Sequence, residues 1–125
     1  MLIRRVEEME GQPVTTEGAK DVDVRMMVGR ADKAPNFAMR CFTVQAGGHT
    51  PRHSHNYEHE VYVLEGRGRA ECDGVFEEIG AGDVLFVEPN KMHQFVNAGE
   101  GPLRFLCLVP VSFDCGGTME PTPGS

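Results

Sequence analysis

The sequence predicts a single domain of the all-β class, and three observations lead to that prediction. Short apolar runs recur roughly every 8 to 12 residues, a spacing typical of the strands of a sandwich or barrel. Fifteen glycines and eight prolines supply many turn signals for such strands. No helical periodicity of useful length is present, and a chain of 125 residues suits one domain.

The N-terminal half of the chain should hold an arm and two strands. We expect residues 1–10 to form a short strand or arm, and residues 14–23, which are polar, to form a loop or a poor strand. Residues 24–29 are predicted as a strand closed by a glycine. Residues 37–45 are predicted as a core strand, because valine, phenylalanine and threonine favour strands. Ala46, Gly47 and Gly48 then predict a turn.

The C-terminal half should hold six more strands. They comprise residues 60–64, 69–72, 75–78, 84–87, 93–97 and 103–109. The first is apolar on both faces, so both faces should be covered, and the run 84–87 should be a short buried strand. Asp73-Gly74 is a strong two-residue hairpin signal. We therefore expect a barrel domain over residues 1–110, including the N-terminal arm, and a flexible tail over residues 111–125.

Charge and composition exclude several classes of function. The net charge of −7 argues against a nucleic-acid partner and against an anionic membrane surface, since both require clustered Lys and Arg. No apolar run is long enough for a transmembrane helix. The N-terminus lacks the apolar core of a signal peptide, so we expect a cytoplasmic location. The cysteines, Cys41, Cys72, Cys107 and Cys115, form no close pair and are expected to be free thiols.

Four of the five histidines have the spacing of metal ligands. His53 and His55 are two residues apart, so on extended chain they point to the same side. His59 begins the next apolar run with the same parity, and His93 begins a later strand. Neutral imidazole is the commonest side-chain metal ligand. These four histidines therefore predict a mononuclear metal site, whereas a lone histidine would more often be satisfied by hydrogen bonds.

The same stretches resemble the two motifs of the cupins. The first motif is matched by Gly47, His53, His55, Glu60 and Gly66, and the second by Gly82, Asp83, Pro89, His93 and Asn97. The resemblance is closest to the small single-domain bacterial cupins with four histidine ligands, some of which bind manganese. The second motif departs from the general pattern, because Glu88 stands in place of its proline and Asn90 in place of its glycine.

The resemblance implies a double-stranded β-helix, a jelly-roll barrel with a metal in one mouth. In most cupins a glutamate joins three histidines, but in the four-histidine subgroup the position of His59 supplies a histidine. The implied ligands are thus His53, His55, His59 and His93. Glu60 competes with His59 for this role, although strand alternation points it outward if His59 points inward. In that case Glu60 would be the partner of an arginine.

Four neutral ligands leave the charge of a divalent metal uncompensated. That arrangement suits a six-coordinate ion with two open positions, so we expect one divalent transition metal per chain, with Mn first. Iron would serve similarly, zinc could be held in a tetrahedron of four histidines, and Cu or Ni are further alternatives because copper has the highest intrinsic affinity.

The expected pocket wall comes from strands that face the metal. Phe95 shares a parity with His93, and Phe105 shares one with Cys107. In the resemblance, the positions of Phe105 and Cys107 lie beside the metal, although Cys107 is also explained as a small core residue. Arg40 is a candidate anchor for a substrate carboxylate, with a surface salt bridge as its alternative. Glu71, Glu77 and Glu78 are expected to form a solvated hairpin face.

Three hypotheses about function follow from this site. The first is a metal-dependent oxidoreductase that uses O₂ or peroxide on a small substrate, for example to cleave a carbon–carbon double bond. The second is a non-redox isomerase, lyase or hydrolase in which the metal is a Lewis acid. The third is a small-molecule binding or sensing module without turnover. The barrel's apolar outer faces, including Tyr62 and Leu64, and its N-terminal arm also predict a homodimer.

Overall fold

A computed structural model describes residues 1–113 of the chain, and their regular secondary structure is almost entirely β-strand. Short 3₁₀ turns occupy Val6–Glu8, Arg30–Asp32 and Val111–Phe113. The strands of this part of the chain are β1 (Gln12–Pro13), β2 (Lys20–Val28), β3 (Phe37–His49), β4 (His59–Glu65), β5 (Arg67–Cys72), β6 (Val75–Gly80), β7 (Val84–Val87), β8 (His93–Val96) and β9 (Leu103–Pro110).

The strands form one curled antiparallel sheet in the order β6-β5-β8-β3-β9-β4-β7, and β2 also pairs with β3. The long strand β3 is the junction, since it pairs with β9 over residues 37–44 and with β8 at His49. The sheet wraps around one apolar core that includes Val44, Val63, Leu103 and Phe105. The predicted all-β barrel fold is confirmed.

Two boundaries in the N-terminal half differ from the prediction. Strand β3 continues to His49 through the segment expected to turn, and β2 begins at Lys20, inside the expected loop. The two extensions pair with each other, since Lys20 lies opposite His49 after a register shift in the ladder. Gly47 has a φ of 82°, which allows the strand to bend without ending. Residues 1–10 contain a 3₁₀ turn rather than a strand.

The hairpin and strand predictions in the C-terminal half are largely confirmed. Asp73 and Gly74 have φ values of 49° and 85°, as a two-residue turn with left-handed conformation at both positions requires. However, only one face of β4 is covered within residues 1–113, because Tyr62 is 43% exposed and Leu64 39%. Strand β7 is also less buried than predicted, because it lies at the end of the strand order and turns Val84 and Phe86 outward.

Several expectations concern the chain termini and the cysteines. Cys41, Cys72 and Cys107 are free thiols, as expected, whereas Cys115 lies outside the described residues. Residues 114–125 of the expected tail also lie outside them. Val111 and Phe113 pack against the core. No helix among residues 1–113 is long and apolar enough to span a membrane.

Gly66 is a position where only glycine fits, and it supplies the first stability prediction. Its φ is 91°, and an added Cβ would collide with the Pro102 carbonyl and lie 2.9 Å from the Leu103 Cα. Gly66→Ala should therefore lower the free energy of unfolding by about 2–4 kcal/mol, measured by urea denaturation. Gly101→Ala is the control, because no atom lies within 4 Å of its added Cβ, and its effect should stay within about 0.5 kcal/mol. Equal effects of the two changes would contradict the steric role assigned to Gly66.

Candidate metal centre

The histidine segment keeps the two-residue alternation of a strand although it is not a continuous strand. From residue 51 to residue 61 the odd-numbered side chains are turned inward and the even-numbered ones are exposed. His53 is fixed to the first residue of β8 by two backbone hydrogen bonds, from its N–H to the His93 carbonyl (3.1 Å) and from the His93 N–H to its own carbonyl (2.9 Å). This bridge joins the two histidine-bearing segments directly.

The four histidines of the predicted site come together in one place. Ligand nitrogens of His53, His55 and His93 lie within 4.8 Å of one another and form a group that could hold a metal ion. His59 lies outside this group of three, but its ring lies 5.0 Å, between ring centroids, from the rings of both His55 and His93. His59 is the first residue of β4 and the first of the buried residues that alternate along that strand.

A partly buried ion pair positions the histidine segment. Arg52 donates to both carboxylate oxygens of Glu71 on β5 (2.7–2.9 Å), and the Gly74 N–H donates to the same carboxylate (3.2 Å). Glu71 is almost completely buried, so the prediction that it belongs to a solvated hairpin face is wrong. A bidentate pair restricts geometry more than a single contact does, and it fixes the chain immediately before His53.

Hydrogen bonds at Nδ1 orient two of the rings. His93 Nδ1 lies 3.0 Å from the Lys91 carbonyl oxygen, which can only accept, so Nδ1 carries the proton and Nε2 keeps its lone pair. His59 Nδ1 lies 3.2 Å from Cys107 Sγ. His59 Nε2 is buried and has no hydrogen-bond partner among the described residues. An unsatisfied buried nitrogen beside three other imidazoles fits a metal ligand, so the residues present suit the metal that the site implies.

Burial keeps the imidazoles of His53, His59 and His93 neutral, as metal binding requires. Desolvation, with smaller contributions from His55, His93 and Arg40, lowers the pKa of His53 to about 3. Desolvation and then Arg40 lower the pKa of His59 to about 2. Desolvation also lowers the pKa of His93. The site therefore offers lone pairs rather than protons at neutral pH.

His53, His59 and His93 border a small cavity that is open to solvent at its mouth. Phe42, Phe95 and Phe105 form its apolar wall, and Thr50 closes one side. Phe105 stacks on Phe42 with ring centroids 5.4 Å apart and contacts Phe95 at 5.0 Å. Phe95 and Phe105, which were predicted as pocket residues, both line this cavity.

Arg40 and Cys107 also line this cavity. Arg40 is only 2% exposed, so the alternative of a surface salt bridge is wrong. One of its terminal nitrogens donates to Cys107 Sγ at 3.5 Å. Burial raises the pKa of the Cys107 thiol, which is therefore a neutral neighbour of the histidines. Cys107 has both expected features, since it is part of the core and borders the cavity.

Glu60, which competes with His59 for the ligand role, lies away from the histidine group. Glu60 is exposed and faces outward, as strand alternation predicts. The arginine partner expected for it is absent within ion-pair distance among residues 1–113. His49 is partly buried, with its Nδ1 3.3 Å from the Thr50 carbonyl oxygen.

Sequence reasoning missed three residues of the site. Phe42 and Thr50 line the cavity, and Arg52 anchors the histidine segment. The inward parity of Phe42 and Arg40 on β3 was a usable signal for Phe42. No sequence signal connects Arg52 with Glu71, because 19 residues separate them.

The lowered pKa values predict a pH dependence of stability in the metal-free protein. Between about pH 6.5 and about pH 3 the unfolded chain binds protons at these histidines and the folded chain does not, so stability must fall as the pH falls. His59→Gln, which is neutral throughout, should reduce this slope. The measurement is the urea midpoint of the chelator-treated protein and of the chelator-treated variant across this pH range. Parallel curves would contradict the assignment of part of the pH dependence to His59.

A family model for the cupin domain matches residues 40–109. Among solved structures, the polyketide cyclase RemF of Streptomyces resistomycificus superposes with a TM-score of 0.80 at 33% identity, covering 88% of this chain and 80% of that one.

Two curated relatives match part of the chain. An uncharacterized protein of Methanocaldococcus jannaschii is 37% identical over 65 residues, which are 51% of this chain and 52% of the relative. The 1-methylthio-D-xylulose 5-phosphate methylsulfurylase of Rhodospirillum rubrum is 32% identical over 76 residues, or 61% and 49% of the two chains. The match thus spans about half the length of each curated relative. The family model covers more than half of the present chain and includes all of the clustered histidines, so the chain belongs to the cupin domain family.

Proposed function

We propose that this protein is a metal-dependent enzyme whose divalent metal is held by His53, His55, His59 and His93. The observation that carries the proposal is the convergence of four imidazoles at the edge of an apolar cavity. A set of four ligands rather than three is supported by His59 Nε2, which is buried without a hydrogen-bond partner in residues 1–113. Structural histidines would use such nitrogens in hydrogen bonds.

The chain's own residues would prepare the reaction site. A bound metal supplies positive charge that polarises an oxygen donor of the substrate and, for Mn or Fe, the capacity to exchange electrons. The Lys91 carbonyl and Cys107 hold the rings of His93 and His59 from behind. Phe42, Phe95 and Phe105 exclude water and present flat surfaces to a small substrate, which strengthens electrostatic interactions inside the cavity.

The first candidate reaction is oxidation of a small molecule by O₂ or peroxide, with cleavage of a carbon–carbon double bond as one form. The composition of the cavity wall supports it. Among the described residues that line the cavity there is no carboxylate and no lysine to act as a general base. Manganese is our first choice of metal, because four neutral nitrogen ligands leave room for further oxygen ligands on a six-coordinate ion.

The second candidate is non-redox ring closure, with the metal as a Lewis acid. It is favoured by the 33% identity with a polyketide cyclase over most of both chains. The two candidates differ in their metal requirement, since zinc has no redox chemistry. Peroxide-dependent conversion of styrene to benzaldehyde by Mn- or Fe-loaded protein, but not by Zn-loaded protein, would support oxidation. Equal activity of the zinc form on a cyclisable polyketide would support ring closure instead.

Removal of His59 tests the ligand set. Protein expressed without added metal should contain about one metal ion per chain by elemental analysis, and His59→Ala should lose most of it, because ligand removal weakens affinity by at least ~10-fold. His49→Ala is the matched control, since His49 lies outside the cluster. Unchanged metal content in His59→Ala would overturn the four-histidine assignment.

We further propose that a second copy of the chain packs on the exposed apolar face of β4 and β7. Phe86 lies on this face, at the end strand of the sheet order, whereas Phe76 has similar exposure on β6 at the opposite end. Phe86→Lys should therefore yield a monomer by light scattering, while the unchanged protein and Phe76→Lys stay dimeric. A monomeric unchanged protein would contradict the proposal.

A further inference from the structure

Arg40 is a buried cation in the wall of the cavity. It lies on β3, in register with Cys107 of β9, and its side chain borders the cavity beside His53, His59 and His93. Its guanidinium carbon lies 4.9 Å from the centre of the Phe42 ring, and one terminal nitrogen donates to Cys107 Sγ at 3.5 Å. A stacking surface on one side and a sulfur acceptor on another fix the orientation of the guanidinium group.

The charge of Arg40 is not balanced by the chain. Among residues 1–113 no carboxylate lies within ion-pair distance of it, and its Nε is buried without a hydrogen-bond partner. Two other arginines, by contrast, are paired, since Arg52 contacts Glu71 and Arg104 contacts Glu7. A buried charge without a counter-charge is costly, and proteins rarely keep one without a use for it.

The neighbouring groups add no negative charge. An imidazole ring carries no negative charge, and the other residues that line the wall with Arg40 are Cys107, Thr50 and phenylalanines, none of which is a carboxylate. A divalent metal at the histidines would therefore increase the positive charge of the cavity. The missing component is an anion that enters from outside the chain.

We propose that the cavity binds a small organic anion, with a carboxylate or other oxygen anion on Arg40 and an aromatic or apolar body against Phe42, Phe95 and Phe105. The inference rests on the proposed function, because it names the substrate class of the proposed metal site. The guanidinium group provides paired donors that match a carboxylate.

A purely structural role for Arg40 makes the opposite prediction about stability. If Arg40 supports the fold, Arg40→Met should lower the melting temperature of the metal-free protein. If Arg40 serves an anion, removal of an unbalanced buried charge by a side chain of similar length should leave that temperature unchanged or raise it. This measurement gives a result even without any bound ligand.

Binding is tested with benzoate and its neutral analogue benzamide, by isothermal titration calorimetry in chloride-free buffer. Full-length protein is used both metal-loaded and metal-free, together with Arg40→Met and Arg40→Lys, and metal content is measured in each sample. Benzoate should bind the unchanged protein, and Arg40→Met should weaken that binding roughly tenfold or more, since hydrogen bonds between charged groups contribute this much. Arg40→Lys should retain part of the affinity for benzoate. The affinity for benzamide should differ little between the unchanged protein and either variant.

The outcomes separate this inference from the proposed metal function. Loss of benzoate binding in Arg40→Met at unchanged metal content supports the anion site. Benzoate binding to protein that takes up no metal would overturn the metal function and keep the anion site. The inference is overturned if benzoate fails to bind up to millimolar concentration, if Arg40→Met binds it as well as the unchanged protein, or if Arg40→Met is markedly less stable.

Discussion

The candidate site depends on burying imidazole rings in a wall of the barrel without charging them. The side-chain alternation that begins in the segment before β4 continues into the strand, so successive odd-numbered residues enter the same interior. Burial there makes protonation costly, as the lowered pKa values of His53 and His59 indicate. Because desolvation destabilises a protonated ring, these rings keep a lone pair free for a metal. The backbone bridge between His53 and His93 joins the histidine segment before β4 to strand β8.

A second constraint is the distribution of charge. The chain as a whole carries a net charge of −7, yet the carboxylates of the described residues are absent from the cavity wall, where Arg40 is the charged group. Glu71 helps to position the histidine segment, but its charge is balanced by Arg52 and it does not line the cavity. This separation produces an interior that favours negative ligands inside a protein that repels them at its surface. Such a cavity suits chemistry on a small anion that is sheltered from water.

Much of this arrangement could be predicted from the sequence because it depends on local periodicity. The spacing of His53, His55 and His59 fixes their common side, and Asp73-Gly74 has the left-handed conformations that a tight hairpin requires. The extension of β3 to His49 could not be predicted, because a glycine pair usually indicates a turn and the strand is favoured by pairing of His49 with Lys20 and Val96, which are distant in sequence. The contact of Arg52 with Glu71 and the burial of Arg40 are likewise tertiary effects, which depend on segments distant in sequence.

The central claim is that four imidazoles share one metal ion. The most direct test is a crystal structure of the Mn-loaded protein with anomalous scattering recorded at the metal edge. We predict a single anomalous peak within bonding distance of one nitrogen from each of His53, His55, His59 and His93, at the edge of the cavity that Arg40 borders. A peak bound by three of these histidines with Glu60 as the fourth protein ligand, or a peak elsewhere on the protein, would contradict the claim.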